Sequence, residues 1–209
     1  MEDTTPIRQH AWGEFSRRML ADLQSEALSG APHTVVLVEG LSDYVAIQAV
    51  ARKRGREFDG EGIVIVPMGG ATNIRRFLTT FGPRGRNVRI AALCDAAEAE
   101  YFARALAASG LESDRAELLF VCDRDLEDEL IRALGGTEVE SVIDRAGELP
   151  SLRTLQQMPA HRDRPHAQQL HRFMGTRSAR KYRYAQLLAE ALPPEDVPRP
   201  LRELVDSLA

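Results

Sequence analysis

The chain has 209 residues, of which 44% are apolar and 28% charged, with a formal net charge of -4. That length suits one domain, or one domain with an appendage, and the composition excludes a disordered or low-complexity protein. The longest apolar runs, Val35–Val38 and Ile63–Met68, are far too short to span a bilayer. The opening Met1-Glu2-Asp3-Thr4-Thr5 lacks a basic stretch followed by an apolar one, so a cytoplasmic protein is expected, with no membrane partner. Cys94 and Cys122 stand apart without a Cys-x-x-Cys, which argues against a disulfide scaffold and against a cysteine zinc site. The charge is segregated. Residues 95–148 hold 15 Asp/Glu against 5 Arg, and residues 161–184 hold 7 Arg/Lys against one acid. A metal site beside a polyanion-binding surface would need such blocks, and so would two solvated faces that attract each other.

In chain order, residues 12–29 read as an amphipathic helix with Phe15, Met19, Leu20, Leu23 and Leu28 on one stripe, ended by Gly30-Ala31-Pro32. Thr34–Val38 is a short β-branched run typical of a strand buried on both faces. Ser42 is placed to cap a helix over about 43–54, Ile63–Val66 is a second buried strand, and Thr72 can cap a helix to Phe81 after the Gly69-Gly70 turn. Val88–Leu93 and Glu117–Cys122 read as third and fourth strands with a helix over about 97–109 between them. Asp125 caps a helix that Gly135-Gly136 stops. Strict βα alternation implies an α/β fold: a parallel sheet of about four strands covered by helices. After Pro150 only helices are expected, over about 151–157, 165–174, 178–192 and 198–208. The organisation is therefore an N-terminal helix (1–32), an α/β core (33–136) and a helical C-terminal extension (150–209).

Ligands of open α/β sheets bind at the carboxyl ends of the strands. The four strands deliver Glu39-Gly40-Leu41-Ser42-Asp43, then Gly69-Gly70-Ala71-Thr72, then Asp95-Ala96-Ala97-Glu98, then Asp123-Arg124-Asp125-Leu126-Glu127. Carboxylates that converge from separate strands repel unless a cation lies between them, and Asp/Glu without His or Cys point to a hard ion, Mg2+ or Mn2+. Asp43 and Glu127 can equally be first-turn acids that favour a helix dipole, and Asp125 can be only a cap. Glu39 directly ends an apolar strand, and Asp95 is nearly as exposed to that argument. The glycine turn and the helix start at Thr72 offer backbone N–H groups as a phosphate cradle at Gly69, Gly70 and Thr72.

Val38-Glu39-Gly40-x-Ser42-Asp43, followed by Asp95 after the third strand, resembles the TOPRIM domain of topoisomerases, bacterial primases and OLD-family nucleases over roughly residues 33–135. The Glu-Gly-x-Ser-Asp form of the first motif, Gly69-Gly70-Ala71-Thr72-Asn73 and Asp125-Leu126-Glu127-Asp128-Glu129-Leu130 resemble the OLD (overcoming lysogenization defect) branch most. That resemblance implies a TOPRIM fold and a metal-dependent endonuclease or nicking activity on nucleic acid, DNA first. It implies Glu39 as general acid/base or ligand, and one or two Mg2+ or Mn2+ ions held by Glu39, Asp43, Asp95, Glu127 and Glu98. OLD proteins usually carry this domain behind an ATPase domain; no Walker A sequence occurs here, so a free-standing TOPRIM protein with a separately encoded ATPase partner is expected, and a homodimer stays open. The family's second motif is Asp-x-Asp, whereas this chain has Asp95-Ala96-Ala97, with Glu98 one residue further on.

Of 27 basic residues only Lys53 and Lys181 are lysine. Lys53 sits in Arg52-Lys53-Arg54 and reads as a solvated charge. Lys181 is lysine amid arginines, and a compact ammonium is not imitated by a guanidinium fork. The resemblance extends to a functional lysine in the helical segment after the TOPRIM core, so Lys181 is expected to stabilise charge at a scissile phosphate. Arg172, Arg177, Arg180 and Arg183, with Arg162, Arg164, Tyr182 and Tyr184, compose a surface suited to phosphates and stacked bases. His161, His166 and His171 lack tight metal spacing and read as surface residues.

Two readings therefore compete: a metal-dependent nuclease, and a non-catalytic TOPRIM module that binds nucleic acid or docks on an ATPase. A receiver-like signalling domain also clusters acids at strand ends, but it needs a lysine after a later strand, and none is present. Topoisomerase and primase activities need domains beyond 209 residues.

Overall fold

The structure, a computed structural model, describes residues 5–111, 119–175 and 178–208, with the side chains of 5–12, 178 and 179 left aside. Helix α1 (Thr5–Ser29) leads into β1 (Thr34–Val38), α2 (Leu41–Lys53), β2 (Ile63–Pro67), α3 (Ile74–Phe81), β3 (Arg89–Asp95), α4 (Ala99–Ala108) and β4 (Leu119–Cys122). Then follow only helices: α5 (Leu126–Leu134), α6 (Gly136–Arg145), α7 (Leu149–Gln157), α8 (His166–Met174), α9 (Ser178–Ala191) and α10 (Arg199–Ser207). The strands pair in parallel in the order β2-β1-β3-β4.

The period-2 alternation of strand side chains sorts the core into two layers. Val36, Val38, Ile63, Ile65, Ala91, Leu93, Phe120 and Cys122 face one side, where they join α2 and α5–α10. Val35, Leu37, Val66, Ile90, Ala92 and Cys94 face the other, under α3, α4 and the end of α1. The chain leaves β1 toward β2 over one face and returns from β2 to β3 over the other. Strand order therefore reverses between β1 and β3, which makes their carboxyl ends the crevice of the sheet.

Several local expectations change. Helix α2 starts at Leu41, and its cap is not Ser42: the Gly40 N–H donates to the Asp43 carboxylate at 2.9 Å. Thr72 does not cap α3 either. Residues 71–73 form a 3-10 turn, and the Asn73 amide donates to the carbonyls of Met68 and Gly69. Asp125 does cap α5, accepting from the Asp128 N–H at 2.8 Å. Gly135, at φ 75°, ends α5, but the chain restarts at once as α6, a helix the sequence reading left unassigned. Its apolar positions Val139, Val142 and Ile143 are buried, but they are few and sit among acids. Residues Glu117 and Leu118 of the expected fourth strand lie outside the described residues. On α1, Phe15 is 50% exposed and the fully buried residue is Ala27.

The C-terminal helices share the β1–β3 core rather than sitting beside it. Tyr184, Ala185, Leu188, Ala189 and Leu192 of α9 belong to the same buried cluster as Ala46, Ile47 and Val50 of α2. Lys53, expected to be solvated, donates to the Leu192 carbonyl and ties the end of α2 to the end of α9. Because this core is continuous, Leu188→Ala should cost about 2–5 kcal/mol. Urea unfolding followed separately by far-ultraviolet circular dichroism and by tyrosine fluorescence should give one coincident transition for both wild type and variant; separated transitions would mean that the helical extension folds alone.

Candidate functional site

The crevice between β1 and β3 opens into a cleft of about 430 Å3 lined by Glu39, Asp43, Gly69, Gly70, Asp95 and Lys181, with Tyr182 beside them and Ser16, Arg17 and Leu20 of α1 along one wall. Glu39 stands where β1 ends. Its backbone is held by the glycine turn: the N–H groups of Gly69 and Gly70 both donate to the Glu39 carbonyl at 3.0 Å. This overturns the expected phosphate cradle at these two residues, since their N–H groups are already used. Gly69 and Gly70 have φ of 76° and 126°, which only glycine adopts without strain, so the turn positions Glu39 instead. Thr72 is exposed in the 3-10 turn.

Asp95 ends β3, and Glu98 follows after one 3-10 turn. Oxygens of Glu39, Asp95 and Glu98 lie within 4.8 Å of one another. Ala97, where the resembled Asp-x-Asp has its second aspartate, offers no carboxylate, and Glu98 joins the group instead. An all-oxygen set of this kind suits a hard divalent cation.

Asp43 and Glu127 are 8% and 4% exposed. Asp43 is committed to the Gly40 N–H. Glu127 Oε2 lies 3.3 Å from the Lys181 ammonium, and its Oε1 is buried without a hydrogen-bond partner. The remaining acids after β4 are occupied by arginine: Arg132 pairs with Asp123, Asp128 and Glu129, and Arg124 lies near Asp125 and Asp128.

The electrostatics follow from burial. Desolvation raises the Asp43 carboxyl to about 7, against the Gly40 N–H, with Asp95 and Glu127 adding repulsion. Asp95 is likewise raised to about 7 by burial, with Lys181 opposing. Glu39 is raised by burial and by Glu98, and Glu127 by burial against Lys181. Lys181 is half-buried, which opposes its charge, yet Glu127 and Asp43 outweigh that and raise its pKa. Burial is thus the first cause at all four carboxyls, with like charge adding to it, and Glu127 Oε1 is left without a hydrogen-bond partner.

The expected nucleic-acid surface is only partly supported. Arg180 and Arg183 both pair with Glu148, at 2.7 and 2.6 Å, so they dock the tail on the acidic segment. Tyr184 is fully buried and packs edge-on against Phe173, so it cannot stack on a base. Arg172 is exposed, as are Arg162 and Arg164, while Arg177 lies outside the described residues. His171, read as a surface residue, is instead three-quarters buried and bonds Asp125 Oδ2 through Nε2 at 2.8 Å. Its sequence signal is faint: it lies next to the buried Leu170 on α8, but nothing local links it to α5.

Residues 33–96 match the sequence model of the overcoming lysogenization defect protein-like TOPRIM domain. Those residues carry the OLD-like TOPRIM match. The C-terminal region of the Burkholderia pseudomallei OLD protein is similar in fold, with a TM-score of 0.64 and 21% identity, covering 86% of this chain and 98% of that one. The C-terminal region of the Xanthomonas campestris pv. campestris OLD protein, phased with platinum, gives a TM-score of 0.65 and 25% identity, covering 85% and 92%. No curated protein matches the chain. The match of the OLD-like TOPRIM model ends at residue 96, one residue short of Ala97, while the fold similarity covers 86% of the chain. The carboxylates of this OLD-like TOPRIM site could hold a divalent metal. Among the described residues, no helix is long and apolar enough to cross a membrane.

The raised carboxyls fix the sign of a pH dependence. A carboxyl whose folded pKa exceeds its unfolded value binds more protons when folded, so its contribution is present in full below the unfolded pKa and is lost as pH rises through the folded one. For Asp43 and Asp95 that window runs from about 4 to about 7. In EDTA, chemical denaturation should show Asp43→Asn gaining stability relative to wild type as pH rises across this window. The amide still accepts from Gly40 but carries no charge. Millimolar Mn2+ should raise the wild-type midpoint at pH 7.5, since an ion that binds only the folded state stabilises it.

Proposed function

We propose that the chain is a metal-dependent nuclease that hydrolyses a phosphodiester bond of nucleic acid, DNA first. The observation that carries this reading is the convergence of Glu39, Asp95 and Glu98 within 4.8 Å in a cleft that also holds Lys181. A divalent ion held by Asp95 and Glu98, Mg2+ or Mn2+, would supply neutralisation of phosphate charge and acidification of water. Glu39, at the end of β1 beside Asp95 and Glu98, takes the proton from the attacking water. Asp95 and Glu98 hold the cation side of the site, and Asp43 keeps the Glu39-Gly40 backbone fixed through the Gly40 N–H. Lys181 enters from α9 and faces the charge that develops on the phosphate oxygens. Its ion pair with Glu127 holds the ammonium in place between turnovers. Exposed Arg172, Arg162 and Arg164, with Arg17 on the cleft wall, supply sequence-independent phosphate contacts. An ATPase is the protein partner this reading expects.

A second reading rests on one residue. Ala97 stands where the family places a second aspartate, which favours a module that binds nucleic acid or an ATPase without cutting.

Supercoiled-plasmid nicking in Mg2+ and in Mn2+, with EDTA as control, separates the two. The nuclease reading expects nicked circles that EDTA abolishes. Asp95→Asn should reduce the rate by at least about a hundredfold, as removal of one stabilising group at a transition state commonly does. Lys181→Met should do the same with metal affinity retained. Lys181→Arg should also be poor, because the wider fork does not fit a point-charge position. A near wild-type rate for Lys181→Arg would reduce Lys181 to one phosphate contact among several, and no nicking by wild type in either metal would favour the non-catalytic module.

A further inference from the structure

Arginines and acids are matched unevenly along this chain. On the helices after β4 the exposed arginines have partners: Arg132 pairs with Asp123, Arg145 with Glu138 and Arg153 with Glu140. Residues 62–94, by contrast, contain five arginines and no Asp or Glu. Two of the five are spent on backbone: Arg86 donates to the carbonyls of Leu28 and Gly30, and Arg89 to that of Ser207. Arg75, Arg76 and Arg84 are exposed and, among the described residues, pair with no carboxylate. We propose that Arg75 and Arg76, at the start of α3, form a phosphate-binding surface that carries duplex DNA across the cleft on the layer of the fold opposite Lys181. The inference deepens the nuclease reading by assigning a face over which its substrate lies, and its test needs no turnover.

The topology that makes the cleft also places this surface. Helix α3 starts beyond the Gly69-Gly70 turn that lines the cleft, and α4 starts directly after Glu98. The Asn73 amide ties the start of α3 to the turn through the carbonyls of Met68 and Gly69. The Tyr101 hydroxyl ties it to α4, donating to the Thr72 carbonyl at 3.3 Å. Tyr101 follows Glu98 by about one helical turn, so Arg75, over the Tyr101 ring, stands close to the acidic group of the site. Ile74, Phe77 and Phe102 bury α3 and α4 in one core layer, whereas the buried stripe of α9, the helix that carries Lys181, lies in the other. Glu39 and Asp95 end the paired strands between the two layers. Positive charge therefore flanks the carboxylates from both sides of the sheet.

The two guanidinium groups are held without using their donors. Arg75 lies over the Tyr101 ring at 5.8 Å and Arg76 over the Phe77 ring at 5.4 Å from the centroid. A ring attracts a cation through its π face and occupies no N–H, so the fork of each arginine stays open to phosphate oxygens. Glu100, the acid next along α4, is already taken by Arg104. Two adjacent unpaired arginines repel each other, and a polyanion laid across them relieves that repulsion. An acidic protein segment would offer the same charge. The surface adjoins the cleft in which the proposed reaction requires a phosphodiester, which favours nucleic acid. Such contacts go to the backbone and read no base sequence.

The test is fluorescence anisotropy of a labelled DNA duplex of about 20 base pairs with the full chain in EDTA, over a series of KCl concentrations. Each phosphate contact is worth about 0.9 in the slope of log affinity against log salt, so Arg75→Gln should weaken binding about fivefold or more at about 0.1 M KCl. Arg75→Gln/Arg76→Gln should make the slope shallower by about 1.8, and equally for duplexes of different sequence. Arg84→Gln removes the same charge beyond the far end of α3. The eight residues of that helix rise about 12 Å, more than the Debye length of about 10 Å at this salt, so affinity should change less than about twofold. Circular dichroism establishes that each variant is folded. Wild type that does not bind the duplex, or equal losses for Arg75→Gln and Arg84→Gln, overturns the proposal. So does a polyglutamate peptide that binds with an Arg75 dependence the duplex lacks, since the surface would then dock an acidic protein. Nicking by wild type with a duplex affinity indifferent to Arg75 and Arg76 refutes this surface alone, and an Arg75-dependent affinity without nicking refutes the nuclease reading alone.

Discussion

Everything about this protein's site follows from carboxyl groups pressed together at the one place where the sheet reverses its strand order. Glu39 and Asp95 end the two adjacent strands β1 and β3, and Asp43 and Glu127 occupy the first turns of helices that begin at the same edge. Burial makes each of them a stronger base than an exposed carboxylate, and their mutual repulsion adds to it. A folded chain tolerates this only because positive charge is brought to the same place. The Lys181 ammonium is one such charge, and the geometry leaves oxygens over for others.

Lys181 reaches the cleft because of how α9 packs. Tyr184, Ala185, Leu188 and Leu192 form the buried stripe of that helix, and Lys181 extends the same stripe by one turn toward its N-terminus. The ammonium therefore emerges at the rim of the apolar contact between α9 and α2. Small residues at the contact, Ala46, Ala49 and Ala185 among them, suit a close approach of the two helices. Glu148 holds the outer side of α9 through Arg180 and Arg183. The acidic and basic blocks of the chain thus do two things at once: part of each neutralises the other, and the unneutralised remainder faces the cleft.

The departure at Ala97 has a local geometric consequence. In a 3-10 turn residue i+3 comes back under residue i, so Glu98, three positions after Asp95, still reaches the group that Asp95 begins. Its side chain is also longer by one methylene than the aspartate it stands in for. The oxygen set around Glu39 is therefore retained, with a changed direction of approach.

How much of this was legible in the sequence depends on the range of the forces involved. The strands were, because Thr34–Val38 and Ile63–Val66 are short β-branched runs whose burial on both faces is written into their composition. Their alternation with helices implied the parallel sheet, and hence that Glu39 and Asp95 would meet at its carboxyl edge. Lys181 was visible as a lone lysine among arginines. What only tertiary structure decided were contacts between elements distant in the chain. The Gly69-Gly70 turn spends its N–H groups on the Glu39 carbonyl because β1 and β2 pair in register, which no local pattern encodes. Arg180 and Arg183 resemble free phosphate ligands until Glu148 is brought against them, and Tyr184 looks like a base-stacking ring until Phe173 covers it. His171 meets Asp125 only when α8 packs on α5. Local sequence sets which residues can be strand, helix or ligand through backbone sterics and hydrophobic periodicity; which charges find each other is set by packing, because a charge pair acts over a few ångströms and its partner can lie anywhere along the chain.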